Sequence, residues 1–173
     1  VLDKTYAQRP NFEGAKFVMS PPLRDAQEHD ALWNGLANAS VSTIGTDHAP
    51  FNFQGQKEMG KDAFTLIPNG IPSIQERIDL VHTYGVCAGK IDMHTMVNAC
   101  STNVAKTFNM FPRKGALAVG SDADIVVYDP NFTGTFKHED GLSKVDYSGF
   151  EGMERRGRSD VVLPRGQVVA NQG

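Results

Sequence analysis

The sequence predicts an α/β fold that gives way to an all-β part in its last third, and three observations carry that prediction. Residues 15–47 order as strand, helix, strand, the pattern of a parallel βαβ unit. Residues 73–85 carry a helix start, an apolar face and a glycine. From Pro112 onward, short apolar runs alternate with Gly and Asp turns, which is β patterning.

In chain order, AKFVM (15–19) is a short apolar run broken by SPP at 20–22, hence a strand running into a loop. Asp25 with Glu28 three residues on opens a helix whose Leu32, Trp33, Leu36 and Ala37 form one stripe, ending at Asn38–Ser40. VSTIG (41–45) is rich in β-branched residues and stops on Asp47, His48 and Pro50, an order that favours an α/β sheet or barrel. Residues 51–72 form a loop long enough to carry more than a connection. Ser73–Glu76 is a capping box, with Ile74, Ile78 and Val81 on the apolar face and Gly85 as the stop. Met93, Met96, Val97 and Cys100 keep helical spacing, the Met residues as core filler and not a ligand set, and Val104, Ala105 and Phe108 suggest a second short helix after Ser101–Asn103. Beyond Pro112, Ile125–Tyr128 reads as a strand. Val161–Leu163 and Gln167–Val169 flank Pro164-Arg165-Gly166 as a hairpin, with too few strands to close a sandwich.

Composition narrows the partners. At 173 residues and 40% hydrophobic the chain can bury an ordinary core. Seventeen Lys and Arg against twenty Asp and Glu leave no basic field, which argues against nucleic acid. Cys87 and Cys100 lack CxxC spacing and are expected to be buried thiols in a reducing compartment. No apolar run approaches the roughly 20 residues of a membrane span, and no signal peptide is evident, so a cytoplasmic location is expected.

Asp47 and His48 are neighbours but not catalytic partners, because adjacent strand side chains point to opposite faces and no GxSxG elbow accompanies them. The five histidines, at 29, 48, 82, 94 and 138, show neither HxH nor HxxxH spacing, and His29, His82 and His94 fall on expected helices as structural residues. Asp47 remains. A carboxylate at a strand end can bind a cation and accept a proton from water, or it can cap its own turn before Pro50. From position alone the cap is the simpler reading, and both stay open.

Four blocks then bear on the choice: FVMSPPLR (17–24), STIGTDHAPFNFQGQKEMGKDAFTLIPNGIP (42–72), FPRKGALAVGSDADIVVYDP (111–130) and FEGMERRG (150–157). Together they strongly resemble dihydropyrimidinases and D-hydantoinases, cyclic-amide hydrolases of the amidohydrolase superfamily. The resemblance implies that residues 1–111 are the C-terminal part of a (β/α)8 barrel and 112–173 part of a small β-sandwich domain. It implies two zinc ions, Asp47 as ligand of one and as proton shuttle, and Ser20 and Asn69 as backbone contacts of a cyclic ureide substrate. The family's HxH pair, its bridging carboxylated lysine, two further histidines and a substrate-contacting tyrosine have no counterpart here, so the chain is expected to be a piece of a longer enzyme. That enzyme would hydrolyse dihydropyrimidines or hydantoins to N-carbamoyl amino acids, as a homotetramer. The rivals are a non-catalytic scaffold of the collapsin response mediator type, and allantoinase or dihydroorotase; retention of Asp47 and of IPNG favours the enzyme, and the SPPLR–IPNG pairing favours dihydropyrimidinase.

Overall fold

The computed structural model describes residues 1–171. Helices α1 (Glu28–Ala37), α2 (Arg77–Val81), α3 (Met93–Val97) and α4 (Asn103–Thr107) precede strands β1 (Ile125–Thr135), β2 (Glu154–Leu163) and β3 (Ala170–Asn171). The fold is α/β, with one three-stranded sheet ordered β1-β2-β3. Its contacts divide into two compact units built from interleaved segments. The first takes Val1–Ala31, Thr46–Arg77 and Thr135–Met153; the second takes Leu32–Gly45, Ile78–Gly134 and the chain from Glu154 onward. Pro112, where the patterning changes, lies inside the second unit.

The first unit buries Leu2, Ala15, Phe17, Ile67, Ile71, Phe136, Tyr147 and Phe150. The strand expected at 15–19 is instead a 3-10 turn, Glu13–Phe17, with extended backbone resuming at Val18. Phe12 at φ +67° starts the turn, and Ala15 N–H donating to Phe12 O and Val18 N–H to Ala15 O close it. Ala15 and Phe17 of the apolar run are buried and Val18 and Met19 half-buried, but in a turn, because burial constrains the side chains and not the backbone.

The second unit packs Leu36, Val81, Ile91, Met96 and Ala99, with Trp33, Ile44, Ile78, Val86 and Cys100 against them. Only part of the α1 stripe faces this core: Leu32 and Ala37 are exposed. Residues 41–47 form no strand; a ladder needs a partner backbone, and β-branched composition alone leaves an extended segment. Ile44 N–H donates instead to Ala99 O at 3.0 Å.

Helix α2 begins at Arg77, and Ser73 does not act as the expected cap. Gly85 is no stop either, since the chain continues through a π-helical turn, His82–Val86. Gly85 is needed for a close approach: a Cβ there would lie 2.6 Å from the Trp33 ring. From Met93 to Thr107 the helix continues through a π-helical turn, Asn98–Thr102, rather than breaking, and Asp92 caps its start by accepting from Thr95 N–H at 2.7 Å. Met96 is core but Met93 is exposed, and Cys87 is exposed with Cys100 half-buried, which corrects the expectations of Met core filler and of two buried thiols. Cys87 follows the π-helical turn at the point where the chain leaves the core face.

His82 is 2% exposed, with Nδ1 2.7 Å from Arg156 O and the Tyr128 ring edge-on at 5.1 Å, so it is a satisfied core histidine. Beside it, buried Asp79 Oδ2 accepts from both Arg155 Nη2, at 2.7 Å, and Nε, at 2.9 Å. Burial raises the Asp79 pKa while Arg155 opposes the rise. The expected hairpin is present, paired Val161↔Asn171 and Val162↔Ala170, so its second strand starts later than the apolar pattern suggested. Pro130 sits on the edge strand β1, where its missing N–H costs the ladder least.

Candidate functional site

Asp47, Ser20 and Asn69 all belong to the first unit and all are exposed. Each sits on a segment tied by backbone hydrogen bonds to the next. His48 Nδ1 accepts from Ser73 N–H at 3.0 Å and Ile74 N–H at 3.3 Å, and Ser73 Oγ donates to Thr46 O at 3.2 Å. Ala49 N–H donates to Ile71 O at 3.3 Å. These bonds hold both sides of Asp47 against the segment that follows Asn69. Gly70 N–H in turn donates to Val18 O at 3.0 Å, which joins that segment to the one leading into Ser20. Gly70 adopts φ +140°, and a Cβ there would lie 2.4 Å from Ala49 Cβ, so only glycine allows the approach.

Asp47 has φ +47°, the left-handed region, at a cost of about 1–2 kcal/mol for a residue with a Cβ. An Asp that caps its own turn would accept a nearby N–H. Among the described residues the Asp47 carboxylate accepts none, so it sits in a left-handed turn without capping it. The backbone N–H and C=O of Ser20 and of Asn69 are also without partners among the described residues. An anionic oxygen donor, two exposed peptide donors and two exposed peptide acceptors are therefore carried on one stitched framework.

Sequence reasoning missed what holds the framework. Lys57 is 0% exposed, and its Nζ donates to Pro68 O at 2.6 Å, Gly70 O at 2.8 Å and Val18 O at 2.9 Å. Burial pushes this amine down to about 8. Three carbonyl acceptors match its three donors, which favours the charged form. Asp146 supports the same loop, accepting from Phe53 N–H at 2.6 Å and Gln54 N–H at 2.9 Å. Neither was legible, since a buried lysine inside a polar loop reads as solvated. His48 has a structural part here, since its Nδ1 accepts two peptide N–H groups, which explains why a histidine stands there.

As a metal site the described residues fall short. No group of three or more His, Cys, Asp or Glu lies together among them, so Asp47 can be one ligand but not a centre.

The chain is 46% identical over 169 residues to a D-hydantoinase of Geobacillus stearothermophilus, covering 98% of this chain and 36% of that protein. It is 44% identical over 160 residues to a dihydropyrimidinase of Rattus norvegicus, covering 92% of this chain and 31% of the relative. Among solved structures, the dihydropyrimidinase of Brevibacillus agri NCHU1002 superposes with a TM-score of 0.98 at 50% identity, over 99% of this chain and 37% of that one. The chain thus spans about a third of the length of these relatives. With the profile of the Amidohydrolase family matching residues 20–169, a span that takes in Ser20, Asp47 and Asn69, the chain belongs to the amidohydrolase family.

Proposed function

We propose that this chain is the C-terminal part of a longer cyclic amidohydrolase of the dihydropyrimidinase or D-hydantoinase type, which opens the ring of 5,6-dihydropyrimidines or hydantoins to give N-carbamoyl amino acids. The observation that carries this reading is the Asp47 carboxylate, held in a left-handed turn with no partner among the described residues, on the framework that also presents the open peptide groups of Ser20 and Asn69. In the parent, residues 1–111 complete a (β/α)8 barrel and 112–173 a small β-sandwich domain. The parent is a cytoplasmic homotetramer, and among the described residues no helix is long and apolar enough to cross a membrane.

Asp47 would hold one metal of a two-zinc centre through a carboxylate oxygen, with the remaining ligands supplied by the parent, since no group of three or more His, Cys, Asp or Glu lies together among the described residues. When bound, zinc would polarise the ring carbonyl and acidify water. Asp47 takes up at its carboxylate the proton released as the water oxygen bonds to the ring carbonyl carbon, and returns it to the ring nitrogen as the C–N bond breaks, which adds one water across the amide. Ser20 and Asn69 fix the ring edge, since a cyclic ureide presents alternating N–H and C=O groups that match free peptide groups.

The test uses the full-length protein. Metal analysis should find zinc, dihydrouracil or hydantoin should be opened, and Asp47→Ala should abolish turnover while the circular dichroism spectrum is kept. Absence of both metal and ring opening in the unaltered protein would replace this reading with the scaffold one.

A further inference from the structure

Lys57 lies in the 3-10 turn Lys57–Gly60, between the segment of Asp47 and that of Asn69 in sequence, and its side chain is fully enclosed. The three carbonyls it binds flank the two residues proposed to meet the ring: Pro68 O and Gly70 O on either side of Asn69, and Val18 O two residues before Ser20. A fully buried ammonium is an expensive way to hold a loop, because the charge loses its water and every one of its donors has to be matched. A backbone turn with apolar filling would serve stability as well. The arrangement gains something else, which is the direction of peptide groups.

A trans peptide is planar, with its N–H opposite its C=O. Among the described residues the cis peptides are Ser20–Pro21 and Phe111–Pro112, so both peptides of Asn69 are trans. With Pro68 O drawn inward onto Lys57 Nζ, the N–H of Asn69 points away from Lys57. With Gly70 N–H committed to Val18 O, the C=O of Asn69 points away from Val18. Val18 O is itself shared between Gly70 N–H and Lys57. The ammonium therefore sets the outward direction of the Asn69 donor directly, through a bond to a charged group, which is stronger than a neutral one, and that of the Asn69 acceptor by way of Val18 O, which it holds together with Gly70 N–H. Its charge also polarises the Pro68 peptide in the sense that makes Asn69 N–H a better donor.

We propose that Lys57 is a positioning residue for substrate: through the carbonyls of Val18, Pro68 and Gly70 it aims the peptide N–H and C=O of Asn69 at the donor–acceptor edge of a cyclic ureide. This rests on the reading that Asn69 meets the ring, and it adds that the geometry of that contact is set by a buried cation and not by loop sequence alone.

The experiment is steady-state kinetics on the full-length enzyme with dihydrouracil, comparing the unaltered protein with Lys57→Met, which keeps the apolar stem, and Lys57→Gln, which keeps part of the donor set. KM should rise about tenfold or more in Lys57→Met and by less in Lys57→Gln, with kcat lowered less than KM is raised. Zinc content should be unchanged, as should inhibition by acetohydroxamate, a small metal-directed probe with no ureide edge. An unchanged KM in a folded Lys57→Met protein overturns the proposal, and so does an equal loss of acetohydroxamate inhibition and of dihydrouracil binding. Failure of both variants to fold would likewise overturn it by making Lys57 a stability residue. A parent protein that opens no ring at all instead refutes the underlying function, a result separable from these because it needs no variant.

Discussion

At the scale of single residues, the site depends on groups whose chemistry is ordinary and whose placement is not. Gly70 adopts φ +140° and sits where a methyl would press 2.6 Å from Ala49 O and closer still to Ala49 Cβ. Gly70→Ala is therefore expected to cost about 2 kcal/mol through strain and overlap together, read as a lowered urea midpoint with an unchanged slope. His48 offers one ring nitrogen to two peptide N–H groups, those of Ser73 and Ile74. Ser73 is buried and Ile74 exposed, so His48→Ala should leave one donor unsatisfied away from water and lose about 1–2 kcal/mol in the same measurement. Zinc content of the parent should not follow that loss, because Asp47 and not His48 is the proposed ligand.

At the scale of elements, the pairing of α2 with β2 rests on Asp79 and Arg155. Burial is the larger influence on Asp79 and raises its pKa, with Arg155 pulling the other way. A carboxyl whose pKa is raised by folding favours the native state when protonated; that contribution is complete below the ordinary carboxylate range and is lost as pH rises through the folded value. Arg155→Ala removes the opposing charge and raises the folded value further. The variant should therefore approach the unaltered protein in stability near about pH 4 and fall below it by about 3 kcal/mol at neutral pH, seen in urea titrations at both. Adding Asp79→Asn should recover part of the neutral-pH loss. The elements themselves were largely legible: α1, the helical run from residue 93 and the hairpin follow apolar spacing and caps. The two expected strands at 15–19 and 41–47 were not, because alternating or β-branched composition reports burial and stiffness, whereas a strand exists only when another backbone pairs with it.

At the scale of the whole molecule, large apolar side chains remain in water. Phe64, Leu117 and Leu142 are 78%, 81% and 87% exposed, and Val119 is fully so. Scattered exposed residues are common, but these accompany a family match in which the relatives are about three times as long. The 173-residue chain expressed alone is expected to bind the dye ANS and to self-associate in light scattering. A monomer that binds no dye would contradict the proposal that a longer parent covers these surfaces.

What the sequence determined by itself was the family, through four ordered blocks, and with it the identity of Ser20, Asp47 and Asn69 as the residues to watch. It also determined the helices, whose signals are local: spacing of apolar residues and caps within a few positions of one another. Tertiary structure alone decided what those three residues stand on. Asp47 became an open carboxylate and not a turn cap only when no N–H among the described residues was found to meet it. Lys57 became the centre of the framework only when Val18, Pro68 and Gly70, up to 39 positions away in sequence, were seen to turn their carbonyls onto one amine. The reason is physical: burial of a charge and the direction of a peptide group are set by what surrounds them in space, and no pattern along the chain encodes either.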